Sequence, residues 1–166
     1  MHFLKNYNEP LVLDADALNL ISKNPENLNL IPKKSIITPH PKEFSRLFGE
    51  SKDSFERLEL AKSKAKELNI YIVLKGHHTQ IITSEGNVFY NITGNSGLAK
   101  GGSGDLLAGM IAGFCAQGIA PLKSAVCAVY LHGLAADLCV ARLSQYSMLP
   151  SDILVDLSRI FVEHSL

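Results

Sequence analysis

The sequence predicts an α/β fold with a mainly parallel sheet, and three observations carry that expectation. Short apolar runs alternate with helical patterns along the 166 residues. Several of those runs end in polar residues, as buried parallel strands do. The last three helical patterns are strongly apolar, as a layer packed on a sheet must be.

The elements follow in order. Pro10 to Asp14 reads as a strand, followed by a helix over 17–23; Ser35 to Thr38 is a second strand, followed by helices over 41–48 and 53–68. Pro41 suits the first turn of its helix, where the missing N–H costs nothing. Ile70 to Lys75 is a third strand, and Gln80–Thr83 with Asn87–Asn91 flanks Ser84-Glu85-Gly86 as a hairpin. Helices over 104–117, 121–143 and 151–163 complete the chain and are expected to form a buried layer against the sheet. Doubly wound sheets normally have several strands ahead of their binding loops, whereas this chain has one within fifteen residues of Met1. The expectation is a single domain over 1–166 that lacks its N-terminal part.

Composition narrows the partners. Lys plus Arg and Asp plus Glu are 16 each, so no overall field attracts nucleic acid or an anionic membrane, and phosphate binding must be local. With 46% hydrophobic residues the chain suits a soluble domain. No apolar run is expected to span a membrane, and the start lacks a signal peptide's apolar core, which points to the cytoplasm. Cys115, Cys127 and Cys139 fall in helical patterns without a Cys-x-x-Cys pair and read as buried, reduced thiols.

Four clusters have chemical potential. In Asn95 to Gly109, Gly101, Gly102 and Gly104 open a helix and are followed by Asp105. Their amides suit an anion, helped by the helix dipole, while Asp105 suits a base that takes a proton from a hydroxyl attacking phosphorus. The bland alternative is an ordinary loop with Asp105 as helix cap. No Lys-Ser or Lys-Thr follows Gly104, which excludes a P-loop, and the cluster lies too late for a dinucleotide fingerprint.

Thr38-Pro39-His40-Pro41-Lys42-Glu43-Phe44 places Glu43 toward the same cleft. Either Thr38 caps and Glu43 is a first-turn charge, or His40 touches substrate and Glu43 orders magnesium or its waters. Lys75 to Thr79 offers a cation, a glycine and the neighbours His77 and His78, expected to face opposite sides of an extended segment. Lys75 holds a phosphate or a loop carboxylate, or merely snorkels. In Asp14-Ala15-Asp16, Asp16 reads as the cap and Asp14 as the active-site candidate. His132 and Asp137 read as satisfying helix-packing hydrogen bonds, with His132 alternatively near a nucleotide base.

Together, Leu13 to Asn19, Thr38-Pro39-His40-Pro41-x-Glu43-Phe44, Leu74-Lys75-Gly76-x-x-Thr79 and Gly101-Gly102-Ser103-Gly104-Asp105 resemble the ADP-dependent NAD(P)H-hydrate dehydratases of the ribokinase-like superfamily. The resemblance covers essentially the whole chain and implies a three-layer ribokinase-like sandwich. It implies a repair lyase that removes water from hydrated NADH or NADPH at the expense of ADP or ATP, with Mg2+. It places Asp105, Gly102 and Gly104 in catalysis and His40 with Asp105 against the hydrate. Lys75, Gly76, His77, His78, Thr79, Gly101 and Gly104 go to the nucleotide, and Glu43 acts on magnesium indirectly. Family members usually carry Met-Ala-Thr or similar where this chain has Leu98-Ala99-Lys100. The resemblance also admits a homo-oligomer, or a second chain supplying the absent N-terminal half. The alternatives are a superfamily kinase acting on a sugar or vitamin alcohol, and a noncatalytic nucleotide-binding chain.

Overall fold

The computed structural model describes residues 2–164. In chain order it contains α1 (His2–Asn6), β1 (Val12–Leu13), α2 (Ala15–Ser22), β2 (Ile36–Ile37), α3 (Pro41–Phe48), α4 (Ser54–Leu68) and β3 (Tyr71–Leu74). These are followed by β4 (Gln80–Ile82), β5 (Val88–Tyr90), α5 (Ser103–Ala116), α6 (Pro121–Arg142) and α7 (Pro150–His164). Two 3-10 turns, Pro25–Leu30 and Ser96–Leu98, complete the set. The sequence does not announce those turns or α1, because segments this short carry too little apolar periodicity to register.

The five strands form one sheet in the order β1-β2-β3-β4-β5. β1, β2 and β3 are parallel, with Val12 opposite Ile36 and Ile36 opposite Tyr71. β4 and β5 return antiparallel through the Ser84-Glu85-Gly86 turn, where Gly86 takes φ +83°. The sheet is therefore mixed, its parallel half carrying the strand ends that matter below.

Alternation of side chains sorts the core into two faces. Leu13, Ile37, Ile72 and Leu74 point to α1–α4, where they pack with Leu18, Ile21, Phe44 and Ala61. Ile36, Tyr71, Val73 and Ile81 point to the opposite side, against Leu107 and Ile111 of α5 and Ala125, Ala128 and Val129 of α6. Three layers result, helices covering the sheet on both faces. α7 differs from expectation: its buried Ile153, Leu157 and Ile160 pack on Leu131, Ala135 and Cys139 of α6, in a cluster without a strand residue. It is an outer helix, separated from the sheet by α6, with Leu106, Met110 and Phe114 of α5 packed against the same cluster.

α6 also corrects the reading of apolar runs. At 22 residues and mean hydropathy 1.6 it is long and apolar enough to cross a membrane, yet 56% of that stretch is buried inside this fold. It is the core helix, wedged between α5 and α7. A buried carboxylate fixes the outer helix to it. Asp156 of α7, fully buried, accepts hydrogen bonds from Arg142 at 2.8 Å and Arg159 at 3.0 Å. The carboxylate in turn raises the pKa of the Arg142 guanidinium through that hydrogen bond. All three cysteines are free, but only Cys139 is buried, and burial pushes its thiol pKa up; Cys127 is exposed.

Candidate functional site

The carboxyl ends of β1, β2 and β3 converge on one cluster. Asp14 follows β1, and Ala15 takes φ +45°, so helix α2 starts at once with Asp14 in the capping position. Asp14 does not cap, and Asp16 lies inside the helix rather than before it. The Asp14 side chain turns instead to Lys75 at the end of β3, whose Nζ donates to Oδ1 at 2.9 Å. Lys75 Nζ also lies 3.8 Å from Glu43 Oε2.

Glu43 is anchored by a capping box. His40, rather than Thr38, caps α3: its Nδ1 accepts from the amides of Lys42 and Glu43 at 3.1 and 3.2 Å. Glu43 answers by accepting from the His40 amide at 2.8 Å. At 5% exposure Glu43 is a buried carboxylate held by a backbone N–H and a neighbouring ammonium. The Lys75 amide donates to Pro39 O at 2.9 Å, tying β3 to the same loop.

The glycine-rich turn approaches this cluster from α5. Gly102, at φ +93°, occupies the capping position of α5, in a left-handed conformation that favours glycine. Asp105 therefore sits inside the first turn and is not the cap. A Cβ on Gly104 would lie 3.2 Å from Lys75 Nζ and 3.4 Å from Asp14 Oδ2. Only a hydrogen fits comfortably there, which is what lets the helix start meet the ion pair.

Around this junction lies a cavity of about 840 Å³. Of the anticipated residues His40, Lys75, Gly76, His77 and Gly104 line it. Gly101, Gly102, His78, Thr79, Glu43 and Asp105 are not among its lining residues: Glu43 is buried, while Gly101, Gly102, His78 and Asp105 are exposed. His77 and His78 do not face apart. β3 ends at Leu74, the backbone bends, and the two Nδ1 atoms come within 3.1 Å.

A further wall consists of Thr93 to Ser96, Leu98 to Lys100 and Gln145, none of which belongs to a strand or a long helix; Asn95 to Lys100 belong to the stretch the sequence singles out, whereas Thr93, Gly94 and Gln145 were not anticipated. Helix α6 holds this wall. Asp137 accepts from the Gly94 amide at 2.8 Å and from Asn95 Nδ2 at 2.9 Å, so it clamps a loop rather than another helix. Thr93 Oγ1 donates to Tyr130 O at 2.9 Å, and Gly133 permits the approach, since a Cβ there would lie 2.7 Å from the Thr93 carbonyl. Lys100 Nζ donates to Tyr146 O and Met148 O, each at 2.7 Å, and Ser96 Oγ to Gln145 Oε1 at 2.6 Å. Their signal in the sequence was weak, because each contact joins segments more than thirty residues apart.

His132, which lines the cavity, is 7% exposed, and its Nε2 lacks a hydrogen-bond partner, as does the buried Ser103 hydroxyl. Burial drives the His132 pKa down to about 4, opposed only by an interaction with the Ser103 backbone, so the ring is neutral at neutral pH. The expectation of a satisfied packing histidine is thus corrected.

For a divalent cation the donor set is sparse. Among the described residues no three His, Cys, Asp or Glu side chains form a metal cage. Asp14 and Glu43 already engage Lys75 and the His40 amide.

A family profile described as NAD(P)H-hydrate dehydratase matches residues 1–159. The chain is 41% identical over 147 residues to a bifunctional NAD(P)H-hydrate repair enzyme of Moorella thermoacetica, covering 87% of this chain and 28% of that protein. A crystal structure of the ADP/ATP-dependent NAD(P)H-hydrate dehydratase of Bacillus subtilis, co-crystallised with ATP/Mg2+, superposes with a TM-score of 0.83 at 37% identity. That match covers 98% of this chain and 57% of the other. A ribokinase-like superfamily protein of Enterococcus faecalis gives 0.81 at 34% identity, over 98% and 57% of the two chains. The chain thus spans little more than half of these crystallised chains and less of the bifunctional relative. Its fold is ribokinase-like, and it belongs to the NAD(P)H-hydrate dehydratase family.

Proposed function

We propose that the cavity removes water from hydrated NADH or NADPH, spending ADP and releasing AMP and phosphate. The observation that carries this reading is the meeting of the Gly104 helix start with the Lys75–Asp14–Glu43 cluster at three strand ends. An anion cradle and an acidic residue, Asp105, then lie within two positions of each other in one helix turn. The family membership and the crystallised relative's ATP/Mg2+ supply the ligand classes.

In this reading the hydroxyl of the hydrate gives its proton to Asp105 as its oxygen attacks the terminal phosphorus of the nucleotide. The bond to the leaving AMP oxygen breaks, and the amides of Gly101 to Gly104 stabilise charge on the transferred group. Phosphate then leaves with the C–O electron pair while the adjacent ring carbon loses a proton to solvent, which forms the C=C bond of the dihydropyridine ring of NAD(P)H. His40 contacts the hydrate, while Lys75, Gly76, His77, His78, Thr79 and Gly104 serve the nucleotide. Magnesium, when bound with the phosphates, neutralises their charge; Glu43 and Asp14 fit as partners of its waters.

The test is incubation with hydrated NADH, ADP and magnesium, alone and with the additional segment that the crystallised relatives carry, following the return of NADH absorbance. Recovery in either arm supports the reading, and Asp105→Asn should then abolish turnover while nucleotide binding persists. Net phosphorylation of an alcohol, with no NADH recovered, would replace the reading with a kinase. Turnover by Asp105→Asn equal to that of the unchanged protein would remove Asp105 as the base.

A further inference from the structure

Two lysines line the cavity, and their charge states of affairs differ. Lys75 faces two carboxylates, Asp14 at 2.9 Å and Glu43 at 3.8 Å, so its formal charge is outweighed before any ligand arrives. Lys100 pairs with no carboxylate among the described residues; its ammonium rests on two backbone carbonyls, Tyr146 O and Met148 O. Carbonyl dipoles fix the ammonium in place without cancelling its charge. They also occupy only two of its three donors.

The backbone of Lys100 opens the turn into α5, its carbonyl accepting from the Ser103 amide at 3.3 Å. A lysine without a carboxylate partner among the described residues thus lines the cavity one residue before the glycines whose amides suit an anion. We infer that Lys100 supplies a cation without a carboxylate partner to a phosphoryl group of the ligand in this cavity, while Lys75 serves the nucleotide from within its ion-paired cluster. The inference rests on the proposed function, because it takes the ligand to be phosphorylated. The phosphoryl group belongs either to the adenine nucleotide or to the diphosphate of the dinucleotide, and Lys100 would serve both by the same chemistry.

The competing role is a staple, in which Lys100 matters only for joining the glycine turn to the α6–α7 connection. Calorimetric titration of the whole chain with ADP, adenosine and NADH separates the two, using Lys100→Met, Lys100→Gln and Lys100→Arg. Gln keeps a donor for the carbonyls but loses the charge, and Arg keeps both. For a phosphate-binding lysine, Met and Gln both weaken ADP, NADH or both by roughly tenfold or more, the loss expected for a hydrogen bond to a charged group. Adenosine binding stays unchanged, Arg retains most of the affinity, and the salt dependence of ADP or NADH binding becomes shallower in the neutral variants. Loss on ADP alone puts the lysine on the nucleotide, and loss on NADH alone puts it on the dinucleotide. Unchanged ADP and NADH affinity in Lys100→Gln overturns the inference, as does an equal loss of adenosine. If the unchanged chain binds neither ADP nor NADH, the titrations are made with the additional segment present; absence of binding there too removes the proposed function and the inference with it, whereas binding that Lys100→Gln leaves unchanged overturns the inference alone.

Discussion

Lys75 and Asp14, 61 positions apart in sequence, form a 2.9 Å ion pair whose side chains are only 21% and 10% exposed. It is the contact that ties the end of β3 to the end of β1 across the sheet. Removing the cation leaves Asp14, and behind it Glu43, without a compensating charge. Lys75→Met is expected to lower unfolding free energy by about 3 kcal/mol, the low end for breaking a buried pair, in chemical denaturation. Lys75→Arg should recover only part of it, since a planar guanidinium does not fit where Gly104 already lies against Nζ.

Gly104→Ala separates activity from stability. Alanine is the better helix former, by roughly 0.5 to 1 kcal/mol, which offsets part of the cost of crowding the ion pair, so the melting temperature should change little. Its methyl group nevertheless reaches Lys75 Nζ and Asp14 Oδ2, and a displaced ion pair should lower kcat/KM by on the order of tenfold. A fall in stability without loss of activity would contradict the geometry.

His132 predicts a pH dependence. Its pKa falls from 6.5 to about 4 on folding, so between those values the unfolded chain takes up a proton that the folded chain refuses. Stability is therefore unpenalised above pH 6.5 and declines as pH drops toward 4, by a limit of about 3 kcal/mol. His132→Leu, which removes an unpartnered buried nitrogen, should match the unchanged protein near pH 7 and show a shallower decline between pH 6.5 and 4. Parallel pH profiles for the two proteins would refute this assignment.

The outer helix depends on Asp156. Asp156→Ala removes the acceptor for Arg142 and Arg159 and leaves a cavity at a fully buried site. A loss of about 3 kcal/mol is expected. Hydrogen exchange should rise first in α7, because its apolar face contacts α6 and no strand.

Gly133→Ala tests the clamp on the far wall. The added methyl group would meet the Thr93 hydroxyl and backbone, which cannot swing aside as a flexible side-chain tip can. A destabilisation of about 2 kcal/mol is expected, with weaker ligand binding as the Thr93 to Asn95 segment shifts.

What was legible in the sequence follows from which interactions are local. Apolar runs such as Tyr71-Ile-Val-Leu74 and the amphipathic or apolar helices announce themselves by period, so strands and long helices were readable. The glycine turn and the residues at strand ends were readable too, because turn chemistry and strand polarity are local properties. The roles at the site were less so. Asp14 reads as an active-site candidate, but its partner Lys75 lies 61 positions away, and Asp137 resembles a packing residue until it meets Gly94. Lys100, Gln145 and Thr93 line the cavity only because α6 and the α6–α7 connection bring them there. The bend that brings His77 onto His78 likewise depends on where β3 stops.

The contacts that close the cavity share one property. Asp14 to Lys75, Gly94 to Asp137 and Lys100 to Met148 span 61, 43 and 48 positions, so each closes a long loop. Loop closure at such separations is slow relative to helix formation, and its entropy must be met before the contact returns anything. The Gly94–Asp137 contact needs α6 docked, so that wall is expected to form after the local helices and to part when α6 loosens. Ligand that bridges the two walls would then act as an added cross-link, slowing unfolding more than it speeds refolding.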